Sequence, residues 1–116
     1  MNDVVQVTTT VDAEAAAARL AGEAVAARLA ACAQIDGPIT SVYRWAGAVE
    51  ESREWRVVFK TAAGAAAELT AFVVARHSYD TPEVLVTPVE GGHGPYLEWV
   101  VAETATRGSP RDTPTV

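Results

Sequence analysis

A long β-hairpin is the feature that most constrains the fold of this sequence. Two stretches rich in β-branched and aromatic residues, ITSVYRW and VEESREWRVVFKT, flank Ala46-Gly47, a pair suited to a tight turn because glycine adopts positive φ without steric cost. The hairpin is expected to run from about Ile39 to Thr61, and its longer arm would span about 40 Å. A compact domain of this length has a radius of gyration of only about 13 Å. We therefore expect the tip to project beyond the core.

The projecting hairpin carries aromatic side chains that need cover. Tyr43, Trp45 and Trp55 are three of the eight aromatic residues, and large rings exposed on a two-stranded ribbon are unfavourable because the ribbon itself is only marginally stable in water. Packing on another copy of the chain removes both problems, and a trimer or another closed ring is the natural symmetric solution, although spacing alone does not choose the number of copies. The alternative is that Tyr43 and Trp45 lie beneath the helices of their own chain.

The kind of hydrophobicity also favours self-association. Hydrophobic residues make up 49% of the chain, but 23 of them are Ala and 17 are Val. Small side chains bury little area each, at about 25 cal/mol per Å². One copy of the chain is therefore thinly supplied with core.

Strand and helix patterns alternate along the sequence. Residues 3–11 predict a β-branched strand, and Asp12 is the expected N-cap of an alanine-rich helix over 13–31. The pattern then predicts a strand over 32–46 broken at Pro38, a helix over 64–77, a strand over 83–89 that ends near Pro88, and a helix over 96–106 after Pro95. Two strand–helix–strand units in tandem, plus a C-terminal helix, predict an α+β sandwich of the ferredoxin-like kind, with helices on one face of an antiparallel sheet.

Length, charge and cysteine content limit the classes of function. The 116 residues predict one domain over 1–107 and a disordered polar tail over 108–116. A net charge of −6 repels phosphate backbones and anionic membranes, so neither nucleic acid nor a membrane is expected as a partner. Cys32 is the only cysteine, and the N-terminus lacks the pattern of a signal peptide. We therefore expect a cytoplasmic protein.

Three segments carry a family resemblance. The runs LAACAQIDGPITSVYRWAGAVE, FKT and RHSYDTPEVLVTPVEGGHGPYLEW resemble the CutA family of divalent-cation tolerance proteins from residue 4 to about 105, most specifically over 41–50 and 79–82. The resemblance implies a ferredoxin-like fold in a tight homotrimer, related in architecture to PII signalling proteins, with hairpins wrapping neighbouring subunits. It also implies a role in tolerance of copper and other divalent metals with no catalytic mechanism, so no enzyme is expected.

The sequence departs from the family pattern at three positions. Ser78 stands where many relatives have Pro, and His93 stands where Asn or Asp is more common. Thr9 occupies a position where some members carry a thiol. A metal site built on that thiol is therefore not expected in this chain.

Cys32 and His77 are the candidate metal ligands. A thiol suits Cu(I), and an imidazole suits several divalent metals. The structural alternatives are a small buried side chain for Cys32 and a cap of the helix C-terminus for His77. The spacing contains no CxxC, HxxxH or HExxH motif. The sequence therefore predicts no built-in cofactor, and copper or another divalent metal is the candidate ion.

Lys60, the only lysine, lies in the middle of an apolar strand. It is expected either to pair with a carboxylate such as Glu83 or to face a cleft that accepts an anion. By analogy with PII-like trimers alone, a cleft between subunits is predicted to be lined by Tyr43, Trp45, Lys60, Tyr79, Glu83, Tyr96 and Trp99. Three functions stay open: metal-ion tolerance, sensing of a small anionic ligand between subunits, and a non-catalytic trimeric scaffold.

Overall fold

The computed structural model describes residues 3–104, which form one four-stranded antiparallel sheet and three α-helices. In chain order the elements are β1 (Val4–Val11), α1 (Glu14–Ala26), β2 (Cys32–Trp45), β3 (Ala48–Ala62), α2 (Ala66–Arg76), β4 (Val84–Pro88) and α3 (Gly94–Glu103), with a 3-10 turn at Ala63–Ala65 before α2. The strand order β2-β3-β1-β4 is the ferredoxin-like topology. The predicted fold class and element order are confirmed, while the predicted tail over 108–116 lies outside the described residues.

The two faces of the sheet are covered differently. On β1, Val5 and Val7 point to the face covered by α1 and α2, where they join Phe59 and Leu69 in the main core. Neighbouring residues of a strand point to opposite faces, and Val4 accordingly packs with Val100 of α3 in a second, smaller core. The expectation of helices on one face therefore holds for α1 and α2, whereas α3 covers one end of the opposite face.

Helix α1 differs from the prediction at both ends. Ala13 is its N-cap residue and makes no side-chain capping bond, so the N-cap prediction for Asp12 is wrong. The helix ends at Ala26 instead of 31 because the chain must turn toward β2. Arg28 adopts φ 61°, and Leu29 then enters the main core. Alanine favours helix locally, but tertiary packing decides where this one stops.

The hairpin of β2 and β3 projects from the domain as predicted. Trp45 pairs with Ala48 across the turn, where Ala46 and Gly47 both have positive φ. The described chain measures 54 × 26 × 21 Å, and its radius of gyration of 15.3 Å exceeds the value of about 13 Å for a compact domain. Trp45 is 63% exposed and Tyr43 is 42% exposed, so the alternative that both lie beneath their own helices is wrong.

Proline positions agree with the sheet edges. Pro38 lies in β2, an edge strand, within a bulge between Asp36 and Ile39. Pro88 is the last residue of β4, the other edge strand. A residue without a backbone N–H is tolerated at both places because no ladder bond is lost.

Candidate functional site

A first cluster of polar side chains lies at the base of the hairpin, where β1 ends and α2 ends. The Tyr79 hydroxyl donates a 2.8 Å hydrogen bond to Oε2 of Glu54. Glu54 is only 8% exposed, although it is a carboxylate. The pKa of the Tyr79 phenol is raised well above its usual value, mainly by burial and next by this hydrogen bond. Electrostatic interactions with Glu54, Asp12 and Tyr43 raise it further. Tyr79 is therefore a neutral donor.

His77 is held in one tautomer by two backbone groups. The Tyr79 backbone N–H donates to Nδ1 of His77 at 3.1 Å, so Nδ1 carries no proton. The neutral ring must then carry its proton on Nε2, which donates to the carbonyl oxygen of Thr10 at 2.8 Å. His77 is also the C-cap residue of α2, which agrees with the alternative that this residue caps the helix instead of binding a metal. Coordination of a metal by this ring requires the loss of one of these hydrogen bonds.

A second cluster lies at the other end of β3, where β2 begins. The Sγ of half-buried Cys32 is 3.4 Å from the hydroxyl oxygen of Tyr96, and the Tyr96 ring packs beside that of Trp99 with centroids 5.6 Å apart. The pKa of Tyr96 is raised to about 12, mainly by the hydrogen bond with Cys32 and next by burial. Lys60 is the register partner of Cys32 on β3. This cluster therefore brings a thiol and a phenol into contact, with Lys60 beside them on the neighbouring strand.

The expected ion pair between Lys60 and Glu83 is replaced by another contact. The Lys60 ammonium donates to the side-chain carbonyl of Gln34 on β2, a neutral partner. Glu83 lies just before β4, and its backbone oxygen accepts a 2.7 Å hydrogen bond from the hydroxyl of Thr9. Thr9 is fully buried, so the position where some relatives carry a thiol is closed to solvent in this protomer.

The two clusters divide the predicted site residues within one protomer. Tyr79 belongs to the first cluster, and Tyr43 lies near enough to affect it electrostatically. The second cluster comprises Lys60, Cys32, Tyr96 and Trp99. Glu54 and Lys60 are six positions apart on β3, or about 20 Å. Trp45 lies at the hairpin tip, away from both clusters. A single protomer therefore does not bring the predicted residues into one cleft.

Residues 3–104 contain no group of three or more His, Cys, Asp or Glu side chains that could hold a metal ion. Cys32 and His77 lie in different clusters: Cys32 pairs with Lys60, whereas His77 bonds to Thr10, whose register partner is Arg56. Lys60 and Arg56 are four positions apart on β3, or about 13 Å. One metal ion cannot bind both side chains of the same protomer.

Glu54, Thr10 and Gln34 contribute to the clusters but are not singled out by the sequence. Glu54 follows Glu50 and Glu51 in an acidic stretch of the hairpin, and both of those residues are exposed. Only the path of the chain after α2, which places Tyr79 against β3, distinguishes Glu54 from its neighbours. Its position just before Trp55 and the apolar part of β3 is the one available hint that this acid lies near the core.

The antiparallel sheet, its strand order and the projecting hairpin define a small α+β protein of ferredoxin-like topology with no metal-binding group of three or more donor side chains in the described part of one protomer. The family model of the CutA1 divalent ion tolerance proteins matches residues 5–103. The chain belongs to this family, and the resemblance read from its sequence is confirmed.

Relatives from bacteria and plants are similar over most of the chain. The divalent-cation tolerance protein CutA of Thermus thermophilus is 38% identical over 104 residues, which cover 90% of this chain and 99% of that protein. Protein CutA 1, chloroplastic, of Oryza sativa is 42% identical over 95 residues, covering 82% of this chain and 54% of that protein. The chain thus spans about half the length of the plant relative and of the mouse relative, of which 49% is covered.

Solved structures of the family have the same fold. CutA1 from Oryza sativa superposes with a TM-score of 0.87 at 39% identity, covering 90% of this chain and 95% of that one. The Thermus thermophilus protein gives a TM-score of 0.85 at 37% identity, covering 88% and 99% respectively. In the described part of this chain, every helix is too short or too polar to cross a membrane.

Proposed function

We propose that this chain acts in divalent-cation tolerance as a non-catalytic, cytoplasmic homotrimer whose subunits are joined through their projecting hairpins. Family membership supports the tolerance role. The shape of the protomer supports the assembly, because a two-stranded ribbon that extends beyond its own core is marginally stable unless something packs on it.

The observation that carries the proposal is the exposed apolar surface of the hairpin. Four large hydrophobic side chains near its tip are 42–65% exposed: Val42, Tyr43, Trp45 and Val49. Exposed apolar side chains that cluster on one element mark an interaction surface. A second copy of the chain is the partner that every solution of this protein contains.

The helix-free part of the sheet supports the same assembly. Helix α3 covers only one end of the face opposite α1 and α2. On the edge strand β4, Leu85 is 56% exposed and Val86 is 47% exposed, so apolar side chains on both faces of this strand lack cover. Burial of about 25 cal/mol per Å² against neighbouring copies supplies the core that a chain rich in small residues lacks.

Mass and a tip variant test the assembly. Light scattering is expected to give three times the chain mass of 12.2 kDa. Trp45→Ser is expected to lower the guanidinium concentration at which the trimer dissociates, since it removes the most distal ring. Val25→Ser removes a smaller apolar side chain that is 37% exposed on α1, away from the hairpin; it is the control and is expected to have little effect on dissociation. A wild-type mass of one chain would overturn the homotrimer.

For the metal itself we propose weak binding of copper or another divalent cation, with Cys32 and His77 as ligands from different copies, since one protomer keeps them apart. Calorimetry with Cu(I), Cu(II) and Zn(II) tests this, with Cys32→Ser and His77→Gln as variants. Saturable binding at micromolar concentrations that each variant weakens is expected. No saturable binding of any of the three ions would remove metal binding from the proposal, while growth of a complemented deletion strain on elevated copper tests the tolerance role independently.

A second candidate function is supported by the environment of Lys60. Its ammonium bonds to the neutral amide of Gln34, and the ion pairs among the described residues do not include it. A cation without a carboxylate partner suits a small anion bound between subunits. Titration with inorganic phosphate is expected to show binding that Lys60→Met abolishes, with Arg56→Met as a control. Equal binding by both variants would exclude Lys60 as the anion site.

A further inference from the structure

Glu54 is a buried carboxylate that forms no ion pair with residues 3–104 of its own protomer. Within residues 3–104 it is the only charged side chain that is buried. Its Oε2 accepts the Tyr79 hydroxyl, and neither of the ion pairs found in that part of the chain includes it. Buried carboxylates are normally paired with a cation, because desolvation of the charge is costly. The arrangement around Glu54 is therefore incomplete in one copy.

The surroundings of Glu54 favour a cation as the missing group. The charges of Glu54 and Asp12 both raise the pKa of Tyr79, and these two carboxylates place negative potential at this corner of the fold. A metal ion is disfavoured, since the described residues offer no cluster of three or more carboxylate, imidazole or thiol ligands. A guanidinium or ammonium group needs only one carboxylate and neighbouring aromatic rings.

The hairpin tip carries a cation that is available for this role. Among the described basic residues, Arg28, Arg56, Arg76 and Lys60 have partners within their own chain. Arg19, Arg44 and Arg53 are exposed and make no ion pair or side-chain hydrogen bond with residues 3–104, and Arg44 is the one nearest the hairpin tip. It precedes Trp45 on β2 and points to the opposite face of the hairpin, which it shares with the exposed side chains of Val42 and of its register partner Val49.

Arg44 and Glu54 lie at opposite ends of the hairpin, which allows a head-to-tail contact between copies. The register runs from Ile39–Glu54 at the base to Trp45–Ala48 at the turn, a distance of about 20 Å at about 3.3 Å per residue. When the tip of one copy packs on the hairpin base of the next, every copy gives one Arg44 and receives another. A closed ring of identical copies repeats this heterologous contact at each interface.

We infer that Arg44 of each subunit forms an ion pair with Glu54 of the next subunit, which completes the cluster of Glu54 and Tyr79. The inference rests on the proposed homotrimer and names the contact that fixes its subunits in register. A planar guanidinium binds a carboxylate through two parallel N–H donors. Tyr79 holds the carboxylate in place for this contact.

A double-mutant cycle tests the pair. Arg44→Gln and Glu54→Gln each remove one charge, and Glu54→Gln keeps an oxygen that accepts the Tyr79 hydroxyl. Each single variant is expected to raise the trimer dissociation constant by roughly 10- to 1000-fold, and the double variant is expected to be no weaker than the weaker single variant. Arg53→Gln, an exposed neighbour on the same hairpin, is the control and is expected to change dissociation less than threefold.

The outcomes separate the two proposals. A wild-type protein of one chain mass overturns the homotrimer and the ion pair together. A wild-type trimer whose Arg44→Gln and Glu54→Gln effects are absent, or simply add in the double variant, overturns the ion pair and leaves the homotrimer standing.

A cross-linking experiment covers the case in which Glu54→Gln does not fold well. In a Cys32→Ser background, Arg44→Cys combined with Glu54→Cys is treated with a short bismaleimide, because the Cα atoms of an Arg–Glu pair lie too far apart for a direct disulfide. Each thiol adds across one maleimide double bond, and covalent trimers that persist under reducing conditions are expected. The matched pair Arg53→Cys with Glu54→Cys is expected to give none, and the same yield from both pairs would overturn the contact.

Discussion

Arg28 binds the C-terminus of α3 from a position 75 residues away: its Nε donates to the backbone oxygen of Glu103 at 3.3 Å. Its Nη2 also donates to the oxygen of Ala102 at 3.2 Å. These carbonyls have no partner within the helix. Arg28 therefore supplies to α3 the cation that the C-terminal end of a helix dipole favours.

Arg28 also occupies a position where helices usually place glycine. The N–H of Arg28 donates to the oxygen of Val25, and the N–H of Leu29 donates to the oxygen of Ala24, both at 3.0 Å. This is the Schellman pattern, with Arg28 in the left-handed conformation at φ 61°. A non-glycine residue is strained there, so the contact with α3 offsets a local cost.

Two substitutions of Arg28 separate its two roles. Arg28→Ala loses the bonds to α3 and keeps the strained backbone, so the free energy of unfolding is expected to fall by about 1–3 kcal/mol. Arg28→Gly loses the same bonds but relieves the strain, which is worth about 1 kcal/mol. Guanidinium unfolding is therefore expected to rank wild type, then Arg28→Gly, then Arg28→Ala. A glycine variant less stable than the alanine variant would contradict the role given to the backbone.

The sequence predicts those parts of the fold in which local pattern and tertiary structure agree. The alternation of apolar and polar residues on both sides of Ala46-Gly47 predicts the hairpin, because alternating strands joined by a glycine turn fit few other structures. The alanine-rich helix is predicted too long because propensity alone contains no information on Leu29, which the core draws out of the helix. Asp12 fails as an N-cap for a similar reason, since Ala13 takes the extended conformation that precedes α1.

The site was less predictable than the fold. The sequence indicates Tyr79 and His77 as candidate site residues because of their side-chain chemistry. Their roles depend on contacts with Glu54 and Thr10, which are 25 and 67 positions away. Lys60 was expected to pair with a carboxylate such as Glu83 or to face a cleft that accepts an anion, and its ammonium donates to the amide of Gln34 instead. Contacts between distant strands are set by register, and register follows from the assembled sheet.

Gly37 has no room for a side chain. Its φ is +152°, and an added Cβ would lie 2.7 Å from Cδ1 of Trp55 and 3.0 Å from the backbone oxygen of Glu54. Gly37→Ala is therefore expected to lower the free energy of unfolding by about 1–3 kcal/mol. Gly22→Ala is the matched control: nothing lies within 4 Å of its added Cβ, and an alanine inside a helix is expected to stabilise by up to about 1 kcal/mol. Thermal unfolding of both variants distinguishes the sites, and equal effects would contradict the close approach at Gly37.

Tyr79→Phe is expected to destabilise the fold because it leaves the buried carboxylate of Glu54 without its hydrogen bond. The expected loss is about 1–3 kcal/mol in the free energy of unfolding, measured near neutral pH. Tyr43→Phe is the control, since the hydroxyl of this exposed residue makes no hydrogen bond with the described residues. Equal stability of Tyr79→Phe and wild type would show that water replaces the phenol at Glu54 without cost.

The pKa of Tyr96 predicts a pH dependence at alkaline pH. The interaction with Cys32, followed by burial, raises this pKa from 10.0 to about 12 in the folded protein. A group whose pKa is raised by folding contributes stability that is fully present below its unfolded pKa. That contribution is therefore complete below pH 10 and is lost as the pH rises from 10 to about 12. Urea unfolding across this range is expected to show a declining free energy of unfolding.

Cys32→Ala tests the cause of the shift. Without the sulfur, the pKa of Tyr96 is expected to fall toward 10, because its largest cause is gone and only partial burial is left. Absorbance of the phenolate records this change, and Tyr96→Phe assigns the signal by removing that titration step. The decline of stability between pH 10 and 12 should be shallower in Cys32→Ala than in wild type. A Tyr96 titration that is identical with and without the thiol would assign the raised pKa to burial on α3 alone.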